Sequence, residues 1–357
     1  MTDETNVKQF RRNSAKAENE VVAAAKPLAG LSFIDLFAGI GGFHYALNRY
    51  GAECVFASEW DTAAQDTYEI NHGIRPHGDI TKIDCSAIPS HDVICGGFPC
   101  QAFSISGKQL GLKDARGTLF FDVARVAEYH KPKLLLLENV KNFEKHDKGR
   151  TLETLKKILS SIGYTVFHKV MDASKYGSPQ KRERIYILAF REDLNVTQFK
   201  FPEPLETIHT VSSILQGKSE SKGMALTRKD IVLKDKSTYP VEPVSGTKRI
   251  GYVNKGGQGE RIYHPLGNAI TLSAYGGGAG AKTGLYLINR QVRRLTTREC
   301  ARLLGLPENF VINGNKQQAY KQFGNSVVVN VLEALLAAIV EQRCLNPVFA
   351  DKERVAA

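Results

Sequence analysis

The chain has 357 residues, long enough for about two domains and a sizeable apolar core. Hydrophobic residues make up 42% and charged residues 24%, the composition of an ordinary globular protein, and a formal net charge of +11 suits a polyanionic partner. The six cysteines, Cys54, Cys85, Cys95, Cys100, Cys300 and Cys344, include no C-x-x-C pair and no His/Cys cluster at zinc spacing, which argues against a metal site and for a reducing cytosol. No signal-peptide core is expected at the N-terminus, and the apolar run 327–340, interrupted by Asn330 and Glu333, reads as a packed helix and not a membrane span.

Residues 1–29 are polar and then alanine-rich, an extension with at most a short helix over 15–26. Residues 31–37 alternate and are rich in large apolar side chains, which predicts a strand. The strand runs into Ala38-Gly39-Ile40-Gly41-Gly42 and a helical pattern over 43–50. Strand, glycine turn and helix form the nucleotide-binding opening of a doubly wound sheet, although the spacing is neither G-x-G-x-x-G nor a P-loop. A second strand, 53–58, ends in Glu59-Trp60. A carboxylate about twenty residues after such a turn is placed for ribose hydroxyls. Trp60 can cover an adenine or face a cation, or simply pack in the core. Asp79 and Ile80 follow a helical segment over 62–71.

The apolar run 93–95 reads as a buried strand and leads into Gly96-Gly97-Phe98-Pro99-Cys100-Gln101-Ala102-Phe103-Ser104. A lone cysteine is most often a small core residue, but one set just after a turn at the carboxyl end of a strand is placed to act as a nucleophile. Residues 104–113 are polar and glycine-punctuated, the composition of a lid. A helix is predicted over 117–129, then a buried strand over 133–137 that delivers Glu138-Asn139-Val140 to the same sheet edge as Cys100. A carboxylate directly after four leucines is partly desolvated, so its pKa should rise. After a helix over 151–162 come strands near 164–170 and 184–191, and Arg182 and Arg184, two apart, share a face of the second.

From 205 to 292 helical periodicity fades and glycine, lysine and short turns dominate, which predicts a small, mostly β second domain. Its loops around Lys248-Arg249, 255–263 and 273–278 carry Arg, Lys and Gln suited to phosphate and base-edge contacts. A Thr296 cap starts a helix over 296–304, and Gln322-Phe323-Gly324-Asn325-Ser326 is expected to open the final helix.

Taken together, the glycine loop, the Pro-Cys turn, Glu138-Asn139-Val140, the run Gln180 to Arg184 and the Gln322 to Ser326 ending resemble, in the same order, the cytosine-5 DNA methyltransferases. The resemblance covers roughly residues 31–345 and implies an α/β, doubly wound, mostly parallel sheet of the class I S-adenosylmethionine-dependent methyltransferase fold. It divides the chain into an extension (1–29), a catalytic domain (30–208), a mostly β target-recognition domain (209–294), a returning segment (295–348) and a tail (349–357). By this resemblance the Cys100 thiolate adds to C6 of cytosine, a protonated Glu138 serves N3, Arg184 bonds O2, and Arg182 holds the Cys100 loop or a phosphate. The cofactor S-adenosylmethionine is met by Phe37, Gly39, Gly41, Gly42, Glu59, Trp60, Asp79, Ile80, Leu119 and Asn325. On the DNA side, Ser106 and Gln258 fill the gap left by a flipped base, Arg249 and Arg261 read bases, and Tyr275 joins them. The implied partner is double-stranded DNA, with GCGC methylated at its inner cytosine in the bacterial cytoplasm, by a monomer without an obligate protein partner or metal. An RNA cytosine methyltransferase, a silent DNA-binding regulator and a nucleotide-binding oxidoreductase are the rival readings.

Overall fold

A computed structural model of the chain describes residues 26–99 and 119–345. The helix expected before residue 26, the lid at 104–113, and the side chains of Cys100 and Ser106 lie outside the described residues.

Six strands form the main sheet: β1 (Ser32–Leu36), β2 (Glu53–Ser58), β3 (Val93–Gly97), β4 (Leu134–Val140), β5 (Tyr164–Asp172) and β6 (Glu183–Arg191). Their order is β2-β1-β3-β4-β6-β5, with β2, β1, β3 and β4 parallel and β6 antiparallel to both its neighbours. The unbroken leucines of β4 reflect burial on both faces, as parallel strands under crossover helices require. Leu134 and Leu136 point into one core, Leu135 and Leu137 into the other. The same alternation runs along β6, where Tyr186, Leu188 and Phe190 face the first core and Ile185, Ile187 and Ala189 the second.

Among the described residues seven α-helices cover this sheet and its edges: α1 (Gly42–Arg49), α2 (Thr62–His72), α3 (Leu119–His130), α4 (Arg150–Ser161), α5 (Thr297–Leu303), α6 (Lys316–Asn325) and α7 (Val329–Glu341). The apolar faces of α1 and α7 close the first core, and those of α3 and α4 close the second. Among the described residues, Lys316–Glu341 is long and apolar enough, by length and composition, to cross a membrane, but most of it is buried inside the protein. The Gln322 to Ser326 segment does not open the final helix. It closes α6, and the chain turns extended at Ser326 (φ −80°, ψ 164°) before α7 begins at Val329.

A second sheet of five short strands follows in sequence: β7 (Val232–Leu233), β8 (Arg249–Tyr252), β9 (Arg261–Tyr263), β10 (Leu285–Ile288) and β11 (Gln291–Arg293), in the order β11-β10-β9-β8-β7. Ile250, Val253, Ile262, Leu285 and Val292 make its small core.

The end of this sheet is tied to α5 by a buried ion pair. Arg293 Nη1 and Nη2 donate to the two Glu299 carboxylate oxygens at 2.8 and 2.7 Å, and the side chains are 5% and 0% exposed. Glu299 also accepts the backbone N–H groups of Gln216 and Thr296, and with Thr296 it forms the capping box that starts α5. Removing one partner leaves a buried charge unpaired. Glu299→Ala should therefore lower stability by about 3–5 kcal/mol, read as a fall in the urea midpoint, whereas an exposed control such as Glu153→Ala, whose partner Lys156 sits one turn along α4, should leave the midpoint essentially unchanged.

Candidate active site

The carboxyl ends of β1, β2, β3 and β4 meet at one edge of the sheet, where a cavity of about 1000 Å³ opens. Such an edge is where doubly wound sheets bind ligands.

The first wall is the loop after β1. Phe37, Gly39 and Gly41 all have positive φ (56°, 56° and 84°), so the chain turns sharply and brings backbone close to the cavity. Gly39 N–H donates to Glu59 Oε2 and Asp61 N–H to Glu59 Oε1, each at 2.8 Å. Glu59 thereby braces the glycine loop against the end of β2. Burial pushes its carboxyl up, and these two amides pull it back down. Phe37, Gly39, Glu59, Trp60, Asp79, Ile80, Leu119 and Asn325 all line the cavity. Gly41 and Gly42 do not. A Cβ at Gly41 would sit 2.0 Å from His72 Nε2, and one at Gly42 would sit 2.6 Å from Val327 Cγ2. These two glycines are needed for the packing of α1 rather than for a ligand.

Under the loop lies a buried polar group that the sequence reading passes over. The Tyr68 hydroxyl meets Asp35 Oδ2 at 3.4 Å and His44 Nδ1 at 2.8 Å, and the His44 and His72 rings stack at 4.1 Å. Burial pushes the Asp35 carboxyl well up and pushes His44 and His72 down to about 3 and about 4, so both imidazoles are neutral near pH 7. With His72 neutral, its Nε2–H can donate to the Ile40 carbonyl at 3.3 Å and support the loop from below. These residues are scattered over Asp35 to His72 with no motif spacing, and only the fold gathers them.

The second wall carries Glu138. The parallel ladder of β3 and β4 ends at Gly97 opposite Glu138, and a Cβ at Gly97 would lie 3.4 Å from Glu138 Oε2. Glu138 is 8% exposed. Burial pushes its carboxyl up, while Arg184 and then Arg182 pull it down, with a net rise. Arg184 Nε sits 3.1 Å from Glu138 Oε1, an ion pair by distance, yet Oε1 has no well-angled donor among the described residues. The β4–β6 register and period-2 alternation put Glu138 and Arg184 on the same side of the sheet, and Arg182, just before β6, lines the same cavity. Arg182 is 3% exposed, and its guanidinium donates to the carbonyls of Leu272, Gly324 and Ser326 at 3.4, 3.2 and 2.6 Å. It stitches the second-sheet region to the end of α6. Burial lowers it to about 10, so it stays cationic near neutral pH.

Tyr275, expected on the DNA side, is 81% exposed and lines the same cavity as Trp60, also 81% exposed. Asp61, Asp122, Arg125 and Lys321 line it too, and no motif announces them. Lys321 Nζ pairs with Asp61 at 2.8 Å across 260 positions of sequence. Arg249 on β8 and Gln258 in the β8–β9 turn are exposed, and Arg261 on β9 is half-buried with its Nε unpartnered among the described residues. The glycine-rich loops of this region pack backbone on backbone. A Cβ at Gly259 would lie 1.9 Å from the Gly277 carbonyl oxygen, and one at Gly324 would lie 2.2 Å from Ala274 N. Among the described residues no cluster of His, Cys, Asp or Glu could hold a metal ion.

A mostly parallel sheet between helices, with a cavity at the carboxyl edge of its strands, places the chain among the doubly wound α/β proteins. Residues 31–341 match the model of the C-5 cytosine-specific DNA methylase family, and the chain belongs to that family. It is 54% identical over 308 residues to the Type II methyltransferase M.HhaI of Haemophilus parahaemolyticus, which spans 86% of this chain and 94% of that one. It is 42% identical over 334 residues to M.HpaII of Haemophilus parainfluenzae, across 87% and 89% of the two chains. In fold it matches the crystal structure of S. pombe Dnmt2 methyltransferase with a TM-score of 0.64 over 88% of this chain and 100% of that one, at 22% identity.

The protein is therefore a C-5 cytosine DNA methyltransferase and takes its methyl group from S-adenosylmethionine. The cavity fits that cofactor: exposed aromatic faces suit a purine and a sulfonium, and backbone amides and carboxylates suit hydroxyl and amino groups. Trp60 is the single tryptophan and stands at the rim. Titration with S-adenosylhomocysteine should quench or blue-shift its fluorescence in a saturable way. A spectrum that stays unchanged while calorimetry reports binding would remove Trp60 from the cofactor contacts.

Proposed function

We propose that the protein methylates C5 of a cytosine flipped out of duplex DNA, at the inner cytosine of GCGC, as the modification partner of a restriction endonuclease in a bacterial cytoplasm. It does so as a monomer, on a class I S-adenosylmethionine-dependent methyltransferase fold with a target-recognition domain at 209–294. The observation that carries the reading is the buried Glu138–Arg184 pair, set beside the end of β3 that leads directly into Pro99-Cys100.

Cytosine C5 is a poor nucleophile unaided. Addition of the Cys100 thiolate to C6 converts the ring to an enamine and moves electron density onto C5, N3 and O2. The acid form of Glu138 gives its proton to N3, and the Arg184 guanidinium stabilises charge on O2. Phe37, Glu59, Trp60, Asp79, Ile80, Leu119 and Asn325 would hold S-adenosylmethionine, which would supply an electrophilic methyl to C5 and leave as the neutral thioether S-adenosylhomocysteine. Loss of the C5 proton to water then re-forms the C5–C6 double bond and expels the Cys100 thiolate, and the N3 proton returns to Glu138. The target base must leave the stack, as in DNA methyltransferases generally. Ser106 and Gln258 fill the space it leaves, and Arg249, Arg261 and Tyr275 contact the bases around it. The relatives' shared designation as Type II methyltransferases supports the restriction–modification setting, and the family resemblance of the loops at 255–263 and 269–278 supports GCGC.

Bisulfite sequencing of unmethylated plasmid, after incubation with the protein and S-adenosylmethionine, should show protection confined to the inner cytosine of GCGC. Protection at another short sequence would keep the reaction and refute the target. Transfer to RNA but not to duplex DNA would favour the RNA reading. Arg261→Ala should weaken discrimination by roughly 1–3 kcal/mol per lost bidentate base contact.

The pH dependence follows from Glu138. Its carboxyl is raised, and the acid form is the competent one. The single-turnover rate should therefore fall as pH climbs through that raised pKa. Glu138→Gln should abolish this alkaline fall and slow the reaction by roughly 10²–10⁴-fold. An unchanged alkaline limb in Glu138→Gln would assign it to another group.

A further inference from the structure

We propose that Arg125 is a positioning residue for cofactor binding: its guanidinium holds the turn at 78–83 in the shape that presents Asp79 and Ile80 to the cavity. The proposal rests on that cavity being the S-adenosylmethionine site.

Asp79 and Ile80 line the cavity from a turn with little structure of its own. The turn contains a three-residue 3₁₀ helix, Ile80–Lys82, capped by the Asp79 carboxylate, which accepts the Thr81 N–H at 3.1 Å. A helix this short satisfies few of its own carbonyls. Its entry is sewn to the end of β2. His77 N–H donates to the Ala57 carbonyl at 2.8 Å, and the Ser58 hydroxyl donates to the Gly78 carbonyl at 2.9 Å. Its exit is held from α3. Arg125 Nη2 donates to the Ile80 carbonyl at 2.5 Å, and Nη1 donates to the Ile83 carbonyl at 2.9 Å. Nη1 also lies 3.1 Å from the Cys85 sulfur, and His130, at the end of α3, donates from Nε2 to the Cys85 carbonyl at 2.9 Å. Asp122, one turn earlier on α3, accepts the Arg125 Nε–H at 2.8 Å and fixes the plane of the guanidinium.

Arg125 and Asp122 line the cavity as well. The guanidinium, however, is committed through Nε, Nη1 and Nη2 to groups of the protein, as its planar fork allows. It therefore acts on a ligand through the turn and not by touching it. Without it, the Ile80 and Ile83 carbonyls turn to water, and the turn samples shapes in which Asp79 and Ile80 leave the wall. Ordering the turn again on binding then costs affinity for the cofactor.

The test uses the full chain with S-adenosylhomocysteine, followed by calorimetry and by hydrogen exchange of the backbone amides. Arg125→Met keeps the reach of the side chain and removes its donors. It should weaken S-adenosylhomocysteine binding by roughly 10–100-fold, the scale of one charge-assisted hydrogen bond. Arg125→Lys, which can serve one carbonyl, should fall between. The KM for duplex DNA should stay within about twofold. In the free protein the amides of Thr81, Lys82 and Ile83 should exchange faster in Arg125→Met, while those of β10 keep their rates. The ligand 5′-methylthioadenosine, which lacks the amino-acid end, should lose affinity by the same factor. Full affinity for this smaller ligand would mean that the guanidinium binds the amino-acid carboxylate directly, and would overturn the positioning role. So would unaltered affinity for S-adenosylhomocysteine, a loss of affinity without faster exchange at 81–83, or an equal rise in the KM for DNA, which marks a general structural role. If S-adenosylhomocysteine binds the unaltered chain without slowing exchange at 37–42 and 79–83, the reading of the cavity itself fails and the positioning role falls with it.

Discussion

The site is built around one buried carboxyl group held beside two positive charges. Burial at the end of a leucine strand raises the Glu138 pKa, and Arg184 and Arg182 oppose that rise. On the proposed mechanism, a carboxylate given only the cations would be ionised and useless as an acid at N3, and a carboxyl given only burial would lack the guanidinium proposed to meet O2. The fold reaches the balance by committing Arg182 to three backbone carbonyls and by angling Arg184 so that its 3.1 Å approach is an ion pair and not a well-formed hydrogen bond. Arg182 thus adds long-range field to the site while serving mainly as a structural tie.

The cofactor side follows the same economy of placement. Glu59 spans the glycine loop and the end of β2, and a buried polar group of Asp35, Tyr68, His44 and His72 supports the loop from beneath. Because His72 occupies the space next to Gly41, the glycine is required by what lies under the loop as well as by its backbone angle. The remaining wall comes from the far end of the chain. The α6 helix brings Lys321 and Asn325 back to the cavity, and the close approach of Gly324 to Ala274 joins that helix to the loop bearing Tyr275. The cavity and the second-sheet region therefore meet at one junction, with Arg182 at its centre.

Much of this was legible in local pattern. The run Leu134 to Leu137 announced a doubly buried strand and placed Glu138 at its end. The glycine turn announced a ligand-binding edge, and the Pro-Cys turn marked the same edge. Period 2 put Arg182 and Arg184 together. Pattern misled where one motif holds residues with different tasks. Gly41 and Gly42 belong to the glycine loop by sequence but to helix packing by contact. Gln322 to Ser326 looks like a helix start and is a helix end, because Ser326 turns extended and the next helix waits until Val329.

The sequence by itself determined the strand periodicity, the order of the motifs and the chemistry each could supply, because these depend on residue type and on spacing within a few positions. It also determined the family, since several short motifs in one order are far more specific than any one of them. Tertiary structure alone decided which groups touch. Asp61 meets Lys321, Arg182 meets Ser326, and Tyr275 joins Trp60 at one cavity, all across separations that carry no periodic signal. It also decided how burial and charge divide the Glu138 pKa, because desolvation depends on every neighbour at once and not on the four leucines that precede it.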